Sequence, residues 1–180
     1  MSSVSEVFKA VLFDKDGTLF DFRGTWDAWA ADFLPMLCGG KEDVLRDLAR
    51  AIGFDLKAQG FLANSIAIAG TNREVSEVMA RVLGRDDIEV LEHEVAQSAA
   101  TAPLQPVLEL APFLQGLKDK GYKLGVVTND SEYGAGVHLK TAGVDDLFDF
   151  ICGSDSGFGG KPDPDPLLAF CKQVQVDPFH

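Results

Sequence analysis

Residues 7–18 read V-F-K-A-V-L-F-D-K-D-G-T. Val7 to Phe13 is an apolar run broken by a single lysine, the pattern of a parallel strand buried on both faces. The run passes directly into Asp14, Lys15, Asp16, Gly17 and Thr18. A strand therefore delivers two carboxylates at its C-terminal end, and their spacing of two puts them on one side if the strand geometry continues. Gly17 permits a sharp turn, and Thr18 offers a hydroxyl and a backbone N–H. Two carboxylates in an apolar setting can divide the roles of nucleophile and proton carrier, because burial and mutual repulsion drive their pKa values apart. Taken alone, the same five residues also suit a plain turn, since Asp-Gly is a common turn dipeptide.

Further along, Tyr122 to Val127 is a second apolar run, ending in Thr128, Asn129 and Asp130. Phe148 to Gly153 is a third, weaker strand candidate. Helical spacing lies between them: Phe113, Leu114 and Leu117 before Gly121, then Tyr133 to Ala142 before Gly143. Strand alternating with helix argues for an open parallel α/β sheet of Rossmann-like build, with chemistry outside the carboxyl ends of its strands. Residues 22–103 differ, reading as helices with no strand among them. Trp26, Trp29, Ala30 and Phe33 keep helical spacing behind an expected Thr25 N-cap, with Pro35 kinking or ending that helix. Val44, Leu45, Leu48 and Ile52 continue the pattern. Thr71 to Glu74 has capping-box form ahead of Val75, Val78, Met79 and Val82. Ile88, Leu91 and Val95 suggest a further helix. The expected organisation is an α/β unit of residues 1–21 and 104–180, interrupted by an all-helical insert of residues 22–103.

Composition narrows the function classes. The chain has 180 residues, 46% of them hydrophobic and 24% charged, which suits a packed globular core. A net charge of −12 argues against a nucleic-acid or membrane surface, both of which need clustered Lys and Arg. Cys38, Cys152 and Cys171 are widely spaced, so neither a disulfide framework nor a zinc site is indicated, in keeping with a reducing cytoplasm. The first residues hold no basic segment ahead of an apolar run, and the expectation is of neither a signal peptide nor a membrane span.

Thr128 and Asn129 carry a hydroxyl and an amide suited to phosphate oxygens, or equally to capping the next helix. Lys161 sits in G-F-G-G-K-P-D-P, where glycines free the backbone and prolines fix it ahead of a helix around Leu167 to Val174. A lysine so placed is a point-charge partner for phosphate or carboxylate, or an ordinary surface lysine. Arg23 and Arg73 are candidates for a second anionic group on a substrate, with surface roles as the plainer reading. His93 and His138 read as helix-surface residues.

Asp14-Lys15-Asp16-Gly17-Thr18, Thr128-Asn129-Asp130 and Gly160-Lys161-Pro162, in that order and each after an expected strand, resemble the haloacid dehalogenase superfamily. The likeness is to its small phosphatases similar to phosphoglycolate phosphatase. The resemblance covers essentially the whole chain, with the helical insert in the place of the family's cap domain. It implies that Asp14 attacks phosphorus to form an aspartyl-phosphate. Asp16 would protonate the leaving alkoxide and then deprotonate the attacking water. Thr128 and the Asn129 N–H, with Gly17 and Thr18 nearby, would hold phosphoryl oxygens, and Lys161 would neutralise charge. Magnesium would be bound by the Asp14 carboxylate and the Asp16 main-chain carbonyl. The implied partner is a small phosphorylated metabolite.

Asp16 separates this pattern from haloacid dehalogenases, which lack the second aspartate, and from P-type ATPases, which have threonine there. A phosphomutase of the same fold and a non-catalytic binding module are the alternatives. One departure stands out: the family has an acidic motif about 20–30 residues beyond the lysine, and this chain reaches only His180. The expectation is that the C-terminal part of the α/β core is missing and that the chain is a fragment, since the alternative leaves an exposed sheet edge.

Overall fold

A computed structural model describes residues 8–178. Its central sheet has three parallel strands, β1 (Ala10–Phe13), β4 (Lys123–Val127) and β5 (Phe150–Cys152), in the order β1-β4-β5. Phe13 aligns with Val126, and Val127 with Cys152, so the strands end at one level and release Asp14 and Thr128 side by side. All three strands match the expected runs, trimmed at their ends; Val7 lies outside the described residues. Leu124 and Val126 bury one face of β4 against Leu110 and Leu114 of α6 (Leu110–Asp119) and Leu139 of α7 (Glu132–Thr141). Gly125 points the other way, where a Cβ would come within 2.6 Å of the Phe170 ring on α8 (Asp165–Val174). The glycine lets that helix lie close on the sheet. Helices thus cover both faces, the arrangement of a Rossmann-like α/β core.

Between β1 and α6 the chain forms α1 (Phe22–Leu37), α2 (Glu42–Ile52), a short hairpin of β2 (Phe54–Asp55) and β3 (Gly60–Phe61), α3 (Ile66–Ala69), α4 (Asn72–Leu83) and α5 (Ile88–Ala99). Their apolar residues build a second core around Leu34, Leu48, Ile52, Met79 and Leu91, which shares no member with the sheet's core. The excursion leaves and returns at one point: Asp21 N–H donates to Gln105 O at 2.7 Å and Val107 N–H to Leu19 O at 3.1 Å.

Three expectations need correction. The insert is not free of strands. Asp55 Oδ1 accepts from the backbone of Lys57 and Ala58 at 2.8 and 2.9 Å, an Asx turn that closes the hairpin, and Phe54 packs edge-on against Phe61 across it. Two-residue strands are too short to leave a periodic trace. The N-cap of α1 is Asp21, whose carboxylate accepts from Gly24 N–H at 2.6 Å, while Thr25 is buried and accepts from Gln105 N–H at 3.3 Å. The helix starts four residues early because it springs directly from the turn after β1; it ends at Leu37, two residues after Pro35. His138 is not on the surface but fully buried on α7. The Thr71 capping box is present as read, and His93 is exposed.

Candidate active site

The loop after β1 is wound around one carbonyl: Lys15 O accepts the N–H groups of Leu19 and Phe20 at 2.9 and 3.1 Å. Gly17 takes φ +81°, a conformation that glycine adopts without strain, and its N–H donates to Phe20 O at 2.7 Å. This winding turns Asp14 and Asp16 toward a cavity of about 520 Å³ that Thr128, Asn129, Asp130 and Lys161 also line. Five of the seven expected site residues therefore meet in one place. Gly17 and Thr18 do not line the cavity; Thr18 is exposed and Gly17 shapes the turn.

Within the cavity Lys161 Nζ lies 2.5 Å from Asp14 Oδ1, which also accepts from the Lys15 N–H at 2.8 Å. Thr128 is almost completely buried, with its hydroxyl 3.5 Å from Asp16 Oδ2 and accepting from Asp130 N–H at 3.1 Å. The Asn129 side chain holds the lysine loop, accepting from Lys161 N–H at 2.7 Å and donating to Lys161 O at 3.0 Å.

Four residues behind the site were not foreseen as a group. Lys15, the residue between the two aspartates, is fully buried, 2.9 Å from Asp16 and 3.0 Å from Asp130 Oδ2. Burial by itself would lower the lysine's pKa, but the Asp130 and Asp16 carboxylates outweigh it and hold the group above its ordinary value. Its third partner is His138 Nδ1 at 3.0 Å, and His138 Nε2 lies 2.9 Å from Ala99 O. An ammonium can only donate and a carbonyl only accept, so the imidazole carries its proton on Nε2. Burial and the neighbouring lysine charge push the His138 pKa down, in keeping with that neutral form. Trp26 of α1 completes the group, donating its indole N–H to Asp16 Oδ1 at 2.8 Å and facing Lys15 with its ring. The signal available in the sequence was a lysine between two aspartates at the end of an apolar run; its partners Asp130 and His138 lie far along the chain.

The other walls come from the insert and are apolar: Phe22, Trp26, Trp29, Phe61, Ile68 and Val75. Neither Arg23 nor Arg73 reaches the cavity. Arg23 is exposed, and Arg73 is paired with Glu77 and Glu92 at 3.0 Å each. Among the described residues no three His, Cys, Asp or Glu side chains converge to hold a metal, and no helix is long and apolar enough to cross a membrane.

A parallel sheet with paired aspartates after one strand, a buried threonine after the next and a lysine folded back onto the first aspartate defines a Rossmann-like α/β protein whose carboxylate site is walled by a mainly helical insert. Comparison with known proteins gives the family. The chain matches the haloacid dehalogenase-like hydrolases over residues 8–180 and belongs to that family, as its three motifs implied. It is 28% identical over 180 residues to a plasmid-encoded phosphoglycolate phosphatase of Cupriavidus necator, covering 98% of this chain and 72% of that protein. It is 30% identical over 172 residues to a pyrophosphatase of Bacillus velezensis, with coverage of 94% and 70%. Among solved structures, a phosphatase of the family from Thermococcus onnurineus superposes with a TM-score of 0.58 at 26% identity, over 95% of this chain and 74% of that one. The branch resembled is that of the phosphoglycolate phosphatases.

Proposed function

We propose that this chain is a magnesium-dependent phosphatase of small phosphomonoesters that works through a phospho-aspartate in the cytoplasm, with residues 22–103 as a cap over the α/β residues 1–21 and 104–180. The observation that carries the reading is the contact of Lys161 with Asp14 in a cavity that Asp16 and Thr128 also line. A lysine held there lowers repulsion between the Asp14 carboxylate and an incoming phosphate dianion. An Asp14 oxygen attacks phosphorus as the bond from phosphorus to the ester oxygen breaks, and Asp16, ionised at rest and protonated on entering the substrate complex, gives that proton to the leaving alkoxide. Water then attacks the aspartyl-phosphate, Asp16 takes a proton from it, and phosphate departs with Asp14 restored. The Thr128 hydroxyl, together with the Asn129 backbone N–H, orients the phosphoryl oxygens through both halves.

The donor set suits magnesium. It consists of hard oxygens, the Asp14 carboxylate and the Asp16 main-chain carbonyl, and two protein oxygens completed by phosphate and water is a mode that this ion uses. When bound, the ion supplies neutralisation of the phosphoryl charge. A cytoplasmic setting accords with Cys38, Cys152 and Cys171, all of which are free thiols.

Phosphate release from p-nitrophenyl phosphate with magnesium tests the reading. Asp14→Asn should reduce turnover by about a thousandfold or more, since the nucleophile is gone. Undiminished turnover would overturn it.

A further inference from the structure

The cavity has two unlike halves. Every charged group that lines it, Asp14, Asp16, Asp130 and Lys161, belongs to the sheet side. On the insert side the walls are aromatic and aliphatic apart from the Asn72 side chain, and the indole N–H groups and the Asn72 amide have partners within the protein. The Trp29 indole N–H donates to Ser98 Oγ at 3.0 Å, the Trp26 N–H to Asp16, and the Asn72 amide to Glu92 O at 3.3 Å. The rings brace one another: Trp26 stands edge-on to Trp29 with centroids 5.4 Å apart, Trp29 stacks on Phe33 at 4.9 Å, and Phe22 stands edge-on to Phe61 at 5.9 Å. This wall is set before any ligand arrives, and it holds no cation for a second carboxylate or phosphate.

Resting on the phosphatase reading, we propose that the substrate is a phosphomonoester of an uncharged alcohol with an apolar, ring-sized body, and not one with a second acidic group such as phosphoglycolate. The phosphate sits at Asp14 and Lys161, and the body of the alcohol lies against Trp26, Trp29, Phe22 and Ile68. A cavity of about 520 Å³ accommodates such a group with room for phosphate. An acidic leaving group would surrender its hydration to a wall that returns no opposite charge and whose indole N–H groups are already committed, a loss that discriminates strongly.

Cyclohexylmethyl phosphate and 2-phosphoglycolate are both esters of primary alcohols, so their comparison isolates the body of the leaving group. With magnesium and the complete chain, kcat/KM should favour the cyclohexylmethyl ester by about tenfold or more. Ile68→Arg should reverse that order by placing a cation in the wall; Ile68 is 46% exposed, so the change is compatible with folding. Binding is read separately in Asp14→Asn. Both tryptophans of the chain line the cavity, so their fluorescence should titrate to saturation with the cyclohexylmethyl ester and not with 2-phosphoglycolate. Preference for 2-phosphoglycolate in hydrolysis overturns the inference and leaves the phosphatase reading standing. Saturable binding of the cyclohexylmethyl ester without hydrolysis of either ester by the parent overturns the phosphatase reading and leaves only the ligand preference of the apolar wall standing. Neither binding nor hydrolysis removes both.

Discussion

Lys15 is a charged side chain with no solvent contact, held by Asp16, Asp130 and His138 and faced by Trp26. A buried cation persists only when its partners repay the lost hydration, and here two carboxylates and an imidazole lone pair do so. Removing it strands the partners. Lys15→Met keeps the stem and deletes the charge, leaving Asp130 and Asp16 facing each other in a poorly hydrated site. The expected loss is about 3–5 kcal/mol in urea unfolding, the cost of breaking a buried pair from one side. A loss below about 1 kcal/mol, the range of exposed ion pairs, would mean that the network does not hold the loop. The D-K-D-G-T motif was legible in the sequence but the burial of its lysine was not, because His138 lies 123 positions away and its helix carries only a weak apolar stripe.

At the scale of elements, the apolar runs of β1, β4 and β5 were readable because a parallel sheet covered by helices calls for continuous apolar strands, although β4 alone is buried along most of its length and β1 is half-buried throughout. The hairpin was not readable, and neither was the four-residue helix α3, since neither is long enough to repeat its period. Asp149 shows how the junctions between elements are fixed by residues with no motif. It accepts from Lys118 at the end of α6 at 2.7 Å, from Lys123 at the start of β4 at 3.2 Å, and from the Leu124 N–H at 2.9 Å. Burial alone would raise its pKa; the Lys118 ammonium and the Leu124 N–H, with Lys123, outweigh burial and bring it down to about 2. A carboxylate whose folded pKa lies below its ordinary 3.8 adds stability that is complete above that value and is lost as pH falls through the folded one. Its side chain is 21% exposed, and the contribution is about 1–2 kcal/mol. The stability advantage of the parent over Asp149→Asn should therefore stay constant from neutral pH down to about pH 5 and shrink between about pH 4 and 2. Urea midpoints across that range check it, and an advantage that does not vary with pH would refute the linkage.

For the whole molecule, the order of the three motifs disclosed the family and the parallel sheet, but not how the insert is tied to the site. Asn129 does much of that tying. Its side chain donates to Ala69 O on α3 at 2.7 Å and to Lys161 O, accepts from Lys161 N–H, and its own carbonyl accepts from Asn72 N–H of α4 at 3.1 Å. The insert, the end of β4 and the lysine loop thus meet at one amide, beside Gly160, where a Cβ would press to 2.7 Å from Thr71. The placement of Lys161 against Asp14 is then a property of the assembled molecule and not of the lysine loop alone. Asn129→Ala should lower kcat/KM by about a hundredfold through misplacement of Lys161, and Lys161→Gln by a similar factor through loss of its charge. If both act on the same contact, the double variant should be scarcely worse than either single one, since coupled residues do not add. Losses that multiply fully in the double variant would show that Asn129 supports the insert without positioning the lysine.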